Sequence, residues 1–260
     1  MFVHMPLDDF EIFPVERRHQ ILELLRRDGK VVARDLAKEL SVSIDTVRRD
    51  LNHLVQEGFV QRVHGGAMLA SPPVESVLAR QGRNLQQKQA AAKKGVGLIQ
   101  PGQIVFIDIG TTLDEMARLV DRSLRFTAVT RNLRLALILA GRTEADVVFL
   151  GGQINRMDLA SCGGPMIREI ANIRADLCFL GLCGIHQEAG LTTRRLEEVE
   201  LFRAMIQSSG AVVGVGTREK VGTVGPFVIG PVTLLDYLAV APDLPESEAA
   251  RFQRQGIEVM

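Results

Sequence analysis

The sequence predicts an α/β protein with two domains: a small helical domain, then a larger domain built on a mainly parallel sheet. Three observations support this prediction. The chain has 260 residues, which suits two domains of ordinary size better than one small module. Before residue 58 the apolar residues recur mostly at helical spacing. From residue 103 onward, short apolar strands alternate with amphipathic helices, as they do around parallel sheets.

The composition is that of a folded globular chain. Hydrophobic residues make up 46% and charged residues 24%, which excludes wholesale disorder and a collagen-like chain. No apolar run approaches the ~18 residues that a membrane span needs, and the N-terminal segment is acidic where a signal peptide would be basic. The three cysteines, Cys162, Cys178 and Cys183, fit reduced thiols better than a disulfide framework. We therefore expect a cytoplasmic protein with no membrane partner.

The net charge does not reveal the partners, because 31 basic and 31 acidic residues cancel to zero. Locally, residues 14–70 carry a mild excess of basic side chains and three histidines. Where those groups lie matters more than their sum.

Three helices are predicted before residue 58. The first carries apolar residues at helical spacing and stops at Asp28-Gly29. The second is the short segment ARDLAKEL. The third follows Ser43, whose hydroxyl can accept from the free amides of the first turn, and it ends at Gly58.

The third helix has two distinct faces. Its inward side is predicted to hold Ile44, Val47, Leu51 and Leu54, whereas Arg49 points outward with Thr46 and Arg48 on its flanks. The next residues, FVQRVHGGAML, form two alternating stretches broken by Gly65-Gly66, which predicts a hairpin, or wing. A solvated face on a surface helix is the common meaning of Arg48-Arg49 alone. Their occurrence with a capped helix and a hairpin favours a winged helix-turn-helix that enters the major groove of DNA.

The run ERRHQILELLRRDGKVVARDLAKELSVSIDTVRRDLNHLVQEGFVQRVHGGA, with its TVRRDL and RVHGGA segments, resembles the N-terminal domain of the DeoR-type transcriptional regulators. This resemblance implies double-stranded operator DNA as a partner. It makes Ser43, Thr46, Arg48 and Arg49 the candidates on the recognition helix. It makes Arg62, His64 and Gly65 the candidates on the wing.

Pro72-Pro73 favours an extended spacer, so we place a linker at residues 71–83. The winged helix-turn-helix domain is then residues 14–70. The α/β domain, residues 84–260, is expected to bind the effector and to form a homo-oligomer.

Several strands of the second domain end in small or hydroxyl residues. Gly110 lets the backbone approach a ligand, and Thr111 and Thr112 begin a helix whose free amides suit a phosphate. Singly, each such loop is ordinarily just a turn. The G-x-G-x-x-G and P-loop patterns are both absent, which disfavours dinucleotides and nucleoside triphosphates.

The resemblance continues through this half. The family's C-terminal domain is similar in fold to sugar-phosphate isomerases and senses a phosphorylated sugar or related metabolite without turning it over. By that resemblance the effector site comprises Asp108, Gly110, Thr111, Thr112, Thr130, Asn132, Gly151, Gly152, Thr192, Glu198 and Lys220. The family's G-L-T-T motif matches residues 190–193.

This chain departs from the family pattern at four positions. Ile109 and Leu113 replace hydroxyl residues, so two donors to a phosphate are expected to be missing. Arg131 replaces an asparagine, and it is either a bidentate phosphate clamp or a surface arginine. Thr217 replaces an aspartate. These departures predict weaker or altered phosphate contact.

Two other functions remain open at this point. An isomerase with an appended DNA-binding module would need a carboxylate and a lysine to converge, for which Asp108, Glu198 and Lys220 are the candidates. A winged helix can also grip another protein. Cys183 and His186 could form a thiol with a base or half a metal site, but no second pair at ligand spacing accompanies them. We interpret the chain as a regulator, a repressor, with no catalytic residues, metal or cofactor.

Overall fold

The structure is a computed structural model that describes residues 13–73 and 75–260. The acidic N-terminal segment used in the localisation argument lies outside these residues. The chain divides into two compact units between Ala70 and Ser71.

The first unit contains three helices and a small antiparallel sheet. Strands β1 and β2 both pair with β3, and β2 and β3 form the hairpin that the sequence predicts. The elements are α1 (Pro14–Asp28), β1 (Lys30–Val31), α2 (Ala33–Glu39), α3 (Ile44–Gln56), β2 (Val60–Val63) and β3 (Gly66–Ala70).

One core holds the first unit together. Ile21 and Leu25 of α1 are fully buried, and Val47 and Leu51 of α3 belong to the same cluster. The prediction that Ile44 lies on this inward face is wrong, because 39% of the residue is exposed. As the first residue of α3, Ile44 precedes the turn that meets the core.

The second unit is built on a sheet of seven strands, all parallel among the residues described. Their order is β16-β15-β12-β9-β4-β5-β6. The strands are β4 (Ile104–Ile107), β5 (Thr127–Thr130), β6 (Asp146–Phe149), β9 (Ala175–Gly181), β12 (Ser209–Gly216), β15 (Tyr237–Val240) and β16 (Glu258–Val259).

Helices cover both faces of this sheet, because a parallel sheet must bury both of its apolar faces. One core packs α5, α6 and α7 on the sheet, and the other packs α8, α9 and α10 on the opposite face. The helices are α4 (Val77–Arg80), α5 (Leu85–Val96), α6 (Thr111–Leu119), α7 (Leu133–Arg142), α8 (Gly164–Ala171), α9 (Leu196–Gln207) and α10 (Glu246–Gln253). The predicted α/β class with a mainly parallel sheet is confirmed.

Smaller antiparallel elements, which the sequence analysis does not anticipate, interrupt the alternation. A hairpin joins β7 (Gln153–Asn155) to β8 (Ala160–Cys162). Strands β10 (Gly184–His186), β11 (Gly190–Thr193) and β14 (Phe227–Gly230) form a three-stranded sheet, and β13 (Thr223–Val224) is a short strand before β14. Two short 3-10 helices lie at Arg218–Lys220 and Val232–Leu234.

The segment 71–83 differs from the extended spacer predicted for it. Ser71 is fully buried, its amide donates to the carbonyl of Val224 at 2.9 Å, and the carbonyl of Ser71 accepts from Arg194 at 2.6 Å. Val77, the first residue of α4, is also buried. The prolines exclude helix only locally, and Ser71 and Val77, on either side of them, are buried within the second unit.

Candidate nucleic-acid interface and effector cavity

The N-terminus of α3 is built as predicted. The Ser43 hydroxyl accepts from the amide of Thr46 at 3.1 Å, which caps the helix. Because Val47 and Leu51 fix the opposite face in the core, Arg48 and Arg49 project into solvent. Arg48 lies 3.3 Å from the carboxylate of Asp45. Among the residues described, Arg49 has no ion-pair partner, so its guanidinium is available to a base edge or a phosphate.

The hairpin after α3 contacts this helix. Arg62 donates to the side-chain oxygen of Asn52 at 2.6 Å, which ties the wing to the exposed face of α3. His64 and Gly65 lie exposed at the turn. A Cβ at Gly66 would lie 2.2 Å from the carbonyl oxygen of Val31, so only glycine lets β3 approach β1 this closely.

An ion pair that the sequence analysis missed fixes the orientation of α3. Asp50 is 4% exposed, and its carboxylate lies 2.5 Å from the Arg17 guanidinium and 3.9 Å from that of Arg18. The helical period already places Asp50 between Val47 and Leu51 on the buried side. An acidic residue on an apolar face was the available signal.

The second unit contains a cavity at the carboxyl ends of its central strands. The chain turns one way across the sheet from β4 and the other way from β9, so the loops after these neighbouring strands diverge and leave a crevice. A Cβ at Gly181 would lie 2.1 Å from the carbonyl of Ile109, so the two loops touch through backbone. The crevice encloses about 990 Å³ of free space, which includes solvent at its mouth.

Five residues predicted for the effector site line this cavity: Gly110, Thr111, Thr112, Glu198 and Lys220. The amide of Asp114 is the first in α6 to donate to a carbonyl within the helix turn, that of Gly110 at 2.9 Å. The amides from Thr111 to Leu113 therefore have no acceptor within the helix. Together with the hydroxyls of Thr111 and Thr112, they can bind the oxygens of an anion.

Seven predicted residues do not line it: Asp108, Thr130, Arg131, Asn132, Gly151, Gly152 and Thr192. Thr130 accepts from the amide of Asn132 at 3.0 Å, and Asn132 in turn caps α7 through the amide of Arg134. The Thr192 hydroxyl accepts from the amide of Gly225 at 2.8 Å. Gly151 and Gly152 are exposed before the β7–β8 hairpin. The side chains of Thr130, Asn132 and Thr192 thus form hydrogen bonds that hold their loops.

Arg131 is not a surface arginine. It is 3% exposed, and its Nε lies 2.7 Å from Asp108, which is fully buried. Burial raises the pKa of the Asp108 carboxyl, and the guanidinium opposes that shift. The nearest further carboxylate, that of Glu198, is 3.9 Å away. Arg131 thus neutralises a buried carboxylate beneath the cavity and does not line its wall.

The other departures also have definite places. Leu113 is fully buried in the core, so a hydroxyl there would not face the cavity, and the donor expected to be missing at this position is not a loss to the wall. Ile109 and Thr217 do line the cavity. The family's hydroxyl and carboxylate are therefore exchanged for an apolar group and a hydroxyl within the site itself.

The sequence did not predict most of the charged side chains of the cavity wall. The wall holds six basic side chains against four acidic ones, an excess of two positive charges. The basic side chains are Arg80, Arg83, Lys88, Arg194, Arg195 and Lys220, and the acidic ones are Glu75, Asp158, Glu198 and Glu219. Arg80 and Arg83 come from the segment predicted as a linker. Arg194-Arg195, between a strand and a helix, was a readable signal.

Two buried ionisable groups in the cavity wall, Lys88 and Glu198, have shifted pKa values. Burial lowers the pKa of Lys88, whose ammonium donates to the carbonyl of Arg80, and the charge of Arg80 adds to the effect. Burial raises the pKa of Glu198, which accepts from the Thr193 hydroxyl at 2.8 Å. An anion in the cavity would favour the charged form of Lys88.

Two candidate residues of the alternative chemistries, Asp108 and His186, have other roles in the structure. Asp108 is paired with Arg131 and does not line the cavity that Glu198 and Lys220 share. His186 is fully buried and accepts from the amide of Glu188 at 3.1 Å, so it holds a turn. Over residues 13–73 and 75–260, no group of three His, Cys, Asp or Glu side chains could hold a metal ion. In the same residues no helix has the length and apolarity to cross a membrane.

A helix shaped for the major groove and a separate cavity suited to a small anion define a ligand-responsive, DNA-binding transcriptional regulator. Residues 17–72 match the family model of the DeoR-like helix-turn-helix domain, and residues 83–240 match that of the DeoR C-terminal sensor domain. The chain belongs to the DeoR family of transcriptional regulators.

Known relatives cover nearly the whole chain. It is 30% identical to the HTH-type transcriptional regulator GolR of Listeria innocua, over 95% of this chain and 98% of that protein. It is 32% identical to the glycerol-3-phosphate regulon repressor of Escherichia coli, over 88% and 91%. A D-ribose-5-phosphate isomerase in complex with phospho-erythronic acid superposes with a TM-score of 0.38 at 12% identity, over 53% of this chain and 54% of that one. The family and these regulators place the chain among transcriptional regulators and not among enzymes.

Proposed function

We propose that this protein represses transcription by inserting α3 into the major groove of an operator while the wing contacts the adjacent phosphates. The exposed, Ser43-capped N-terminus of α3 carries this proposal, because Arg48 and Arg49 project from it beside Arg62 of the wing. Arginine pairs bidentately with guanine, and Thr46 and His64 can contact the backbone. Repression is the action named for the Escherichia coli relative.

The effector we propose is a phosphorylated sugar or polyol. Its phosphate would bind at the start of α6, where Thr111 and Thr112 supply hydroxyls and free amides, with Lys220 as the counter-charge. The excess of positive charge in the wall favours an anion over a neutral sugar. Both partners, DNA and a phosphorylated metabolite, belong to the cytoplasm, where we expect this protein to act.

Regulation would follow from linkage between the two units. A ligand can change operator affinity only by the difference in its own affinity for the DNA-bound and free conformations. Operator binding must then change ligand affinity by the same factor.

The DNA-binding half is tested with the full-length protein. Duplexes selected from a random-sequence pool should share one motif, and the affinity for it should fall steeply with salt concentration as counterions are released. If the affinity does not depend on salt, or no motif emerges, the winged helix serves another protein instead.

The ligand half is tested by thermal unfolding with a panel of phosphorylated sugars, each matched to its unphosphorylated counterpart. A ligand of the folded state raises the melting temperature by mass action. We expect shifts from phosphorylated compounds alone, without any turnover. Equal shifts from both members of a pair would contradict a phosphate site.

A further inference from the structure

The cavity wall contains an internal ion-pair bridge. Asp158 lies in the turn between β7 and β8, and its side chain is 9% exposed. One of its oxygens is 3.1 Å from a guanidinium nitrogen of Arg80, and the other is 2.5 Å from one of Arg195. All three side chains line the cavity. One carboxylate thus occupies two guanidinium groups that come from different elements.

Those two arginines are placed to bind an anion. Arg195 is the N-cap residue of α9, and Arg80 ends α4. Their side chains are 14% and 28% exposed, so each can reach the cavity as well as Asp158. A phosphate or carboxylate of a ligand needs the same planar donors that Asp158 now uses. A phosphate dianion has the greater charge and competes well for them.

The bridge also holds a segment of the chain in place. Arg80 belongs to the segment 71–83, which follows the winged helix directly in sequence. The amide of Val77 in this segment donates to the carbonyl of Met157 at 2.6 Å, one residue before Asp158. The β7–β8 turn therefore fixes this segment through one backbone bond and one ion pair. An anion that took Arg80 from Asp158 would remove the ion pair.

We propose that Arg80 and Arg195 form a second anion subsite, which Asp158 fills when no ligand is bound and which the ligand's second anionic group takes over. The inference rests on the proposed effector site, because the first anionic group would lie at the start of α6. The ligand is then a polyol with an anionic group at each end, as in a phosphorylated sugar acid or a sugar bisphosphate. Its binding loosens the segment 75–80 from the β7–β8 turn.

The test uses full-length protein and radiolabelled inorganic phosphate in equilibrium dialysis. The wild-type protein should bind one phosphate, and the Thr111→Val variant should lose it. The Asp158→Asn variant should bind a second phosphate, because the competing carboxylate is gone. Its affinity for this second phosphate should be about tenfold or more above that of any second site in the wild type. The double variant Asp158→Asn/Arg80→Gln should lose that second phosphate. Asp146→Asn, an exposed residue outside the cavity, is the matched control and should behave as the wild type.

The phosphate-binding results distinguish failure of the second subsite from failure of the proposed effector site. Unchanged phosphate binding in Asp158→Asn overturns the subsite, as does a second phosphate that persists in the double variant. Failure of the proposed effector site looks different, because the phosphate of the wild type would be insensitive to Thr111→Val.

If Asp158→Asn does not fold, deuterium uptake of the wild type replaces it. Saturating phosphate should raise uptake in the peptide 75–83 relative to potassium chloride at equal ionic strength. Unchanged uptake would contradict displacement of Asp158.

Discussion

Arg17 of α1 and Asp50 of α3 meet at 2.5 Å, with both side chains almost withdrawn from water. This ion pair joins the first helix of the DNA-binding unit to the helix proposed to read the operator. The exposed face of α3 is thereby set by a contact on its buried face.

The first prediction concerns this pair. Asp50→Ala should lower the free energy of unfolding of the first unit by about 2 kcal/mol, because it removes a buried, charge-assisted contact between α1 and α3. Asp35→Ala, an exposed change in α2, should cost less than about 0.5 kcal/mol. Denaturant unfolding followed through the first unit measures both. Equal losses for the two variants would show that the pair contributes little.

The second prediction concerns operator contact. Arg49→Ala should weaken operator binding by about 1 to 3 kcal/mol, because Arg49 is free to form a bidentate contact with a base. Asp45→Ala should not weaken it comparably, since Asp45 would repel phosphates. Titration at one fixed salt concentration compares them. Operator affinity equal to that of the wild type for Arg49→Ala would mean that another face of α3 meets the DNA.

The third prediction concerns the effector. Thr111→Val and Lys220→Ala should abolish the effector's influence on operator binding, because they remove a hydroxyl and a charge from the proposed phosphate site. Operator affinity without effector should be unchanged. Lys93→Ala, exposed on α5, is the control. Calorimetry checks effector affinity, and normal affinity in both cavity variants would place the ligand elsewhere.

The fourth prediction concerns the pH dependence of stability. Burial raises the pKa of Glu198, so the folded state binds its proton more tightly than the unfolded state does. Glu198 therefore reduces stability as pH rises above its ordinary pKa. Glu198→Gln should raise the free energy of unfolding of the second unit clearly at pH 7 and by little at pH 4. A loss of similar size at both pH values would show that the carboxylate is needed for packing.

The fifth prediction concerns assembly. One winged helix covers only about 600 to 1,000 Å² on DNA, which is small for a specific genomic site. The protein should therefore bind repeated half-sites as a dimer or higher oligomer. Sedimentation at micromolar concentration, alone and with operator, measures this. A monomer in both cases, with one chain per operator, would refute it.

The features that sequence could predict are those with local causes. The Ser43 cap and the glycines that end α1 and α3 depend on residues a few positions apart, so the boundaries of these helices could be predicted. The alternation of apolar strands and helices likewise predicts the parallel sheet, because each βα unit buries its own apolar faces.

The features that sequence could not predict depend on distant partners. Arg131 is buried because Asp108, 23 residues earlier, receives it. Arg80 reaches the cavity because Asp158, 78 residues later, holds it. Prolines at 72 and 73 predict an extended chain, but they carry no information on what that chain packs against. The sequence therefore predicted the strand-end loops of the site, but it did not predict most of the charged side chains in the cavity wall.

The strand order of the second unit has a consequence for synthesis on the ribosome. The central strand β4 must wait about seventy residues for its neighbour β9, and β15 and β16 are made last. The cavity draws its wall from the ends of β4, β9 and β12, so it cannot close until most of the chain has emerged. The first unit, whose helices and hairpin all lie within residues 14–70, can fold long before. A nascent chain would thus complete its winged helix before it could bind a ligand.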